Sequence, residues 1–555
     1  MMDNEKNRKL NLLFNKTSIY AMKYGLKVIK WVVFWPISLS QKFKKHHKCP
    51  PIKNRLLLIS AGELADEIRN KKVTCEEVIR TYIQRVQEVN PMLNCLVQDR
   101  FSDAVQEARA VDQMLATTSL TAEDLLKIKP LLGVPLTVKE SIAVKGMSNN
   151  AARSTVEENI ATEDAEIVRL LREAGAIPLL VSNTPELCMC WETFNPKIGR
   201  TNNPYDTRRT PGGSSGGEAA LLGAGASVIG VASDIGGSLR LPAMFTGVYG
   251  HKPTPGFVSN SGHMPSSKDK MWDSYFTLGP MVRYAADLPL MLNTIISDKT
   301  KAAELRLHED VDISQLKVYY TEDESTVNLL TDPVNSEIIS AMRKAVLYLE
   351  RKYSIRAKKV QIPGVKDVIK LTALVMGRMN GIQNIFQKDE SNPDEWNSVT
   401  WEFMKSFCFQ SSSSLLALLY GPVKSTVDNI SESDYERLIE KKTKLMKDFE
   451  EMLGDNGVFL YPTFVDAAHT HYEIFHKIFN VAYLCLFNLL ELPVTQCPLN
   501  LNSQGLPIGM QIAAGRRQDR LTFAVAKALE EEFSGWIPPQ CAEVIKYKQN
   551  NTSLI

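Results

Sequence analysis

The sequence has no long uninterrupted apolar run. Its candidate membrane segment, Ile19–Leu39, holds only seven consecutive apolar residues, Trp31–Ile37, and one of these is Pro36. A spanning helix takes about 20 apolar residues, so a polytopic membrane protein is excluded. No CxxC pair occurs among the nine cysteines. Cys188 and Cys190 flank a single residue, which is not a zinc-ligand spacing, and the pair reads as packing. An odd number of scattered cysteines in a long chain points to reduced, mostly buried thiols in a cytosol-like compartment. HExxH, Walker A and a GxGxxG helix start are also missing. No metal and no cofactor are therefore expected. No cleavable signal peptide is expected either, since no small-residue cleavage site follows the apolar stretch. No repeat of 20–50 residues is visible, which argues against a solenoid.

Neither charge sign dominates the 555 residues: 65 Lys and Arg face 63 Asp and Glu. The near balance hides an asymmetry. Residues 1–55 carry 13 Lys and Arg against two acids, and the rest of the chain carries 52 against 61. An acidic body argues against nucleic-acid binding, while a basic arm suits an anionic lipid surface. Lys23, Lys27 and Lys30 share one helical face of the arm, and Leu26, Ile29 and Val33 share another. This pattern predicts a helix lying in a membrane interface with Trp31 and Trp35 as anchors. A short spanning anchor and a tail that touches nothing stay open as alternatives.

The body divides as 1–55, a basic arm; 56–540, one large catalytic-type domain; and 541–555, a C-terminal tail. Ser60-Ala-Gly-Glu63 and Thr74-Cys-Glu-Glu77 both read as capping boxes. Leu64 and Ile68, then Val78, Tyr82, Val86 and Val89, follow at helical spacing. Leu131–Val138 reads as a buried strand ending at Lys139. Asp164–Ala174 reads as a helix, Ala176–Val181 as a strand, Glu218–Leu222 as a helix start and Val228–Ala232 as a strand. Such alternation predicts an α/β fold around a mostly buried sheet. Residues 396–420 stand apart. Trp401, Phe403, Met404, Phe407 and Phe409, a serine break at 411–414, and an apolar run at 415–420 predict two short helices. A core hairpin and an exposed apolar membrane cap both fit them.

Chemistry concentrates in two loops. Thr210-Pro-Gly-Gly-Ser-Ser-Gly-Gly-Glu-Ala-Ala220 is too rich in glycine for a regular element and lets backbone approach a ligand closely. Ser233-Asp-Ile-Gly-Gly-Ser238 follows a predicted strand. There the N–H groups of Ile235, Gly236, Gly237 and Ser238 can form an anion nest. A serine beside such a nest supplies a nucleophile and donors for a tetrahedral oxyanion, which acyl transfer requires. Two kinds of base are available. His251 is the histidine nearest in sequence, in a run read as a loop, and a Ser-His-Asp triad stays open. Lys139, delivered by a buried strand, is the other. Lowering its pKa from about 10.4 to about 8 costs roughly 3 kcal/mol. His469 and His471 read as surface residues. Gly213-Ser-Ser-Gly-Gly217 formally matches the GxSxG elbow, but the Pro-containing stretch before it is a poor strand. Asp234, beside a glycine turn, reads as a cap on backbone donors.

Gly212-Gly-Ser-Ser-Gly-Gly217, Asp234-Ile-Gly-Gly-Ser238 and the preceding Lys139 resemble, in order and spacing, the amidase signature hydrolases. The likeness runs from about Leu56 to about Pro539. It includes Gly133-Val-Pro-Leu-Thr-Val-Lys139, Thr254-Pro-Gly256, Leu278-Gly-Pro280 and Gly505-Leu-Pro-Ile-Gly-Met510. The resemblance implies one mixed, twisted sheet surrounded by helices. It implies Ser238 as nucleophile, Ser214 as a bridging serine held by a cis peptide, and Lys139 as base. It implies the N–H groups of Ile235 to Ser238 as oxyanion hole and Cys188 as a substrate contact through its carbonyl. Ser215, Ser233, Asp234 and Arg240 would support them. Within the family the basic arm and the 396–420 segment are most similar to the membrane-associated fatty-acid amide hydrolases of the second, animal type. That implies a lipid amide as substrate, a membrane surface as partner and an intracellular, membrane-associated location, and leaves a homodimer open. The alternatives are a soluble-type amidase, the glutaminase subunit of a tRNA-dependent amidotransferase, and an inactive binding protein on the same scaffold.

Overall fold

The structure is a computed structural model. It describes residues 46–539 except 48, 154–157, 326–329, 390–391 and 408–414, with a few isolated positions before residue 46. The expected arm helix and the C-terminal tail lie outside the described residues. The last residues of the arm segment join the body. Cys49 is buried, and the Pro50 carbonyl accepts a 2.9 Å hydrogen bond from Arg85 Nη2.

The helix Ala61–Arg69 starts as its sequence dictates. Ser60 Oγ accepts from the Glu63 N–H at 3.2 Å, and Glu63 Oε2 accepts from the Ser60 N–H at 2.8 Å. The next helix, Cys75–Leu93, buries Val78, Tyr82, Val86 and Val89. Its predicted box forms only in half. Thr74 Oγ1 caps Glu77 at 3.1 Å, but Asp112, from another helix, takes the Cys75 and Glu76 N–H groups at 2.7 and 3.0 Å. A tertiary carboxylate at a helix N-terminus satisfies two orphan donors there.

Among the described residues eleven strands make one sheet: β1 (Leu96–Asp99), β2 (Pro135–Lys139), β3 (Ile177–Ser182), β4 (Ile229–Asp234), β5 (Tyr249–Lys252), β6 (Thr277–Val282), β7 (Lys317–Tyr320), β8 (Lys358–Lys359), β9 (Gly457–Pro462), β10 (Val494–Leu501) and β11 (Pro507–Ala514). They lie in the order β1-β3-β2-β4-β6-β5-β10-β11-β9-β7-β8. β2 runs parallel to β3 and β4, while β4 pairs antiparallel with β6, so the sheet is mixed. Every residue of β2, β3 and β4 is buried. That burial explains their near-continuous apolar runs, since both faces are covered. In such sheets ligands collect outside the carboxyl ends of parallel strands. β2 ends at Lys139 and the parallel β4 ends at Asp234, so the lysine and the 233–238 turn meet on one edge.

Residues 396–420 contribute two helices, Val399–Phe407 and Leu415–Asp428. The serine break between them lies outside the described residues. The pair is part buried and part exposed. Ala417 and Leu418 are buried, whereas Trp401, Met404 and Val423 are exposed. No described helix is long and apolar enough to cross a membrane.

Candidate active site

Lys139 is the last residue of β2 and is fully buried. Its Nζ lies 2.6 Å from Ser214 Oγ and 2.9 Å from Ser233 Oγ. Burial pushes the Lys139 pKa below the ordinary lysine value. Contact with the Cys188 thiol and the charges of Asp234 and Glu218 oppose this without reversing it. Burial thus leaves this amine holding its proton less tightly than an exposed lysine does.

Ser214 lies in the Gly/Ser loop, two residues before the buried helix Gly216–Gly223. The Gly213–Ser214 peptide is cis. Ser214's carbonyl accepts from Thr184 Oγ1 at 3.1 Å. The next N–H, that of Ser215, donates to the Ser238 carbonyl at 3.2 Å, so the two chemistry-bearing loops are joined. Ser215 Oγ is buried and has no hydrogen-bond partner among the described residues. Lys139 and Ser214 are wholly buried, while Ser238 retains 6% exposure. The three groups thus run from the interior toward an opening.

Asp234 organises the turn to Ser238. Its Oδ1 accepts from the Gly237 N–H at 2.8 Å and Asn488 Nδ2 at 2.9 Å. Its Oδ2 accepts from Arg240 Nε at 3.0 Å and the Leu239 N–H at 3.3 Å. Burial alone would raise this carboxyl. The Arg240 charge and these hydrogen bonds outweigh it and bring the pKa down to about 2. Arg240 is itself held by Asn488 Oδ1 at 2.7 Å, the Leu484 carbonyl at 3.0 Å and Gln511 Oε1. Asp234 is therefore a structural anion. Gly237 takes φ of +92°, and a side chain there would strike Leu484, so position 237 requires glycine. Of the four N–H groups singled out in the sequence, that of Gly237 is already engaged by Asp234.

A cavity of about 310 Å³ opens onto Ser214, Ser233, Ile235, Gly236 and Ser238. Its other walls are mostly apolar and include Ile369, Met376, Ile382, Tyr420, Val423 and Phe479, with His263 and Thr372 as polar exceptions. Cys188 also lines it. Leu187 and Cys188 hold left-handed backbone conformations, φ 48° and 59°, which residues with side chains seldom adopt outside sites that fix them.

Three histidine readings are corrected. His251 lies in β5 rather than a loop, and its Nε2 is 3.0 Å from Asp519 Oδ1. Its Nδ1 is 2.9 Å from Thr495 Oγ1, so both ring nitrogens are engaged and neither contacts Ser238; no Ser-His-Asp triad is built on it. His469 and His471 are buried rather than on the surface. His471 Nδ1 lies 2.7 Å from Glu192 Oε1, and this partner makes burial of a polar ring tolerable. All seven described cysteines are free thiols, five of them buried. Sequence reasoning missed Trp191, whose Nε1 donates to the Gly236 carbonyl at 2.8 Å, as well as Asn488 and Gln511.

A buried lysine on a serine, and a second serine on a glycine turn, define a class that comparison with known proteins identifies. The amidase family model matches residues 77–523, and the chain belongs to that family. Among curated relatives it is 40% identical over 522 residues to fatty-acid amide hydrolase 2-A of Danio rerio, covering 93% of this chain and 96% of that one. It is 41% identical over 497 residues to fatty-acid amide hydrolase 2 of Homo sapiens, covering 88% and 92%. Among solved structures, one titled fatty acid amide hydrolase shares the fold with a TM-score of 0.71 at 22% identity, over 91% of this chain and 89% of that one.

Proposed function

We propose that the protein is a serine amidase that hydrolyses fatty-acid amides to a free fatty acid and an amine. The observation that carries this reading is the apolar cavity that meets Ser238 beside the Lys139–Ser214 contact. The names of the relatives at about 40% identity support the same substrate class.

The chemistry follows from the order of burial. Neutral Lys139 accepts the Ser214 proton while Ser214 accepts that of Ser238. Ser238 Oγ then attacks the amide carbonyl. The oxyanion is met by the N–H groups of Ile235, Gly236 and Ser238, while Gly237 spends its own on Asp234. Preorganised donors of this kind are a large term in acyl transfer. The proton returns through Ser214 to the leaving amine, and water releases the acyl group from Ser238. Ser233, hydrogen-bonded to Lys139, steadies the amine, and Cys188 borders the bound amide.

Chain length tests the substrate class. Each methylene buried in the cavity contributes about 0.8 kcal/mol, close to fourfold in kcat/KM. Primary amides from octanoyl to oleoyl, assayed in detergent micelles, are expected to rise by roughly this factor per added methylene until the cavity is full. A preference for acetamide over all of them would sink the reading.

The reading includes contact with a bilayer. Trp401 and Met404 are exposed on the helix Val399–Phe407, which packs with the helix Leu415–Asp428 that carries the cavity residues Tyr420 and Val423. Lipid reached at this face would lie beside the cavity. Replacing both residues (Trp401→Asp with Met404→Asp) is expected to weaken co-sedimentation with phosphatidylcholine–phosphatidylserine vesicles at least roughly tenfold, given about 1.5–3 kcal/mol per buried apolar side chain. kcat on a short, soluble amide stays as in the wild type. Unchanged vesicle binding would remove these helices from the membrane contact.

A further inference from the structure

We infer that Trp191 is a positioning residue that locks the oxyanion-binding turn by holding the Gly236 carbonyl, and that it ties this turn to the loop carrying Ser214. The inference rests on the reading of Ser238 as nucleophile.

The peptide plane between Gly236 and Gly237 is gripped at both ends. Its carbonyl accepts from Trp191 Nε1 at 2.8 Å, and its N–H donates to Asp234 Oδ1 at 2.8 Å. The two groups of a trans peptide point in opposite directions, so two grips fix its rotation. Two consecutive glycines would otherwise leave this plane free to turn over, since glycine takes either sign of φ at little steric cost. The planes on either side carry the N–H groups of Gly236 and Ser238, and both residues line the cavity, as Gly237 does not. A turned central plane would re-aim those donors. Preorganised donors act only when already aimed at the developing charge.

The same residue reaches the other loop through its backbone. A side chain at Gly213 would lie 2.6 Å from the Cys190 carbonyl and the Glu192 N–H and 2.7 Å from the Trp191 carbonyl carbon. The 190–192 backbone thus packs directly against Gly213, the residue before Ser214. That backbone is held in turn. Glu192 is buried and takes His471 Nδ1 at 2.7 Å and the Tyr472 N–H at 2.8 Å. Trp191 therefore sets the Ser238 turn relative to the Ser214 loop from an anchored position.

Its ring also borders the cavity, so the test must separate the donor from the surface. Trp191→Phe keeps an aromatic ring and removes the N–H. A long-chain trifluoromethyl ketone reports on the oxyanion site. The Ser238 Oγ–carbon bond forms, the carbonyl π pair moves to oxygen, and the serine proton passes through Ser214 to Lys139. The matching trifluoromethyl carbinol fills the same cavity and forms no oxyanion. In Trp191→Phe, kcat on oleoyl amide and affinity for the ketone are expected to fall together by roughly tenfold to a hundredfold, less than loss of a donor outright. KM and carbinol affinity are expected to change less than about threefold on the same argument. Equal losses for ketone and carbinol, or no loss for either, would overturn the inference. A version with β-(3-benzothienyl)alanine at position 191 keeps the indole's shape without its N–H, and gives the same readout if Trp191→Phe does not fold. Should the wild type itself bind ketone and carbinol alike, the nucleophile reading fails, and this inference fails with it. That outcome is distinct from a wild type that discriminates while the variant discriminates equally well.

Discussion

Ser238→Ala is expected to reduce kcat on oleoyl amide by roughly 10⁵-fold or more, the scale seen when a serine hydrolase loses its nucleophile. No neighbour can replace Ser238. Ser214 is wholly buried and occupied by Lys139 at 2.6 Å. Ser233 is also on Lys139, at 2.9 Å. Ser215 Oγ is buried and does not line the cavity. The substituted side chain is small, and the turn's hydrogen bonds come from Asp234, Arg240 and Trp191 rather than from the Ser238 hydroxyl. The variant should therefore fold and still bind oleoyl amide with a wild-type dissociation constant. A fluorophosphonate carrying a long alkyl chain should label the wild type at position 238 and leave the variant unmodified. Turnover retained within tenfold of wild type would reject Ser238 as the nucleophile.

The legible and illegible parts of this site differ in range. Lys139 was readable at the end of an apolar strand pattern, Ser238 at the glycine turn after another, and Ser214 inside the Gly/Ser run; it was the order and spacing of the three that resembled the amidase signature hydrolases. The strands ending at Lys139 and Asp234 were readable because double-sided burial leaves unbroken apolar runs. The supports were not readable. Trp191 reaches Gly236 across 45 residues, Gln511 reaches Arg240 across 271 and His471 reaches Glu192 across 279. None of these residues differs in its neighbourhood from an ordinary core or surface residue. The histidine corrections have the same origin. A polar stretch such as 469–473 looks exposed until a distant Glu192 makes its burial tolerable. Lys252-Pro253 made His251 look like a loop residue, although β5 continues to Lys252 and the proline only follows the strand. The half-formed cap at Thr74 is one more case, because Asp112, 36 and 37 residues away, caps the Glu76 and Cys75 N–H groups of the same helix start.

Lys139→Ala carries the second large effect. Loss of a general base typically removes 10²–10⁴-fold of rate, and acylation near neutral pH is expected to fall by about this much. The pH profile says why. Burial lowers the Lys139 pKa from 10.5, so the wild-type rate climbs as the amine loses its proton and levels off below the ordinary lysine range. The variant has no such group. Its rate should keep rising with hydroxide concentration, and the gap to wild type should be widest at low pH. A collapsed fold would also lose rate, so stability must be measured alongside. An amine with a depressed folded-state pKa binds its proton more readily when unfolded, so stability rises with pH. Its cost is fully present below the folded pKa and disappears as pH approaches 10.5. Lys139→Met, which keeps the bulk and removes the charge, should therefore melt above the wild type near neutral pH, with the difference closing as pH rises. A variant that is both more stable and nearly inactive cannot have failed by unfolding. If either substitution hydrolysed oleoyl amide at the wild-type rate near neutral pH, the proton would have to leave Ser238 by another route. No other described side chain lies in place to receive it from Ser214, because only the Lys139 amine contacts that hydroxyl.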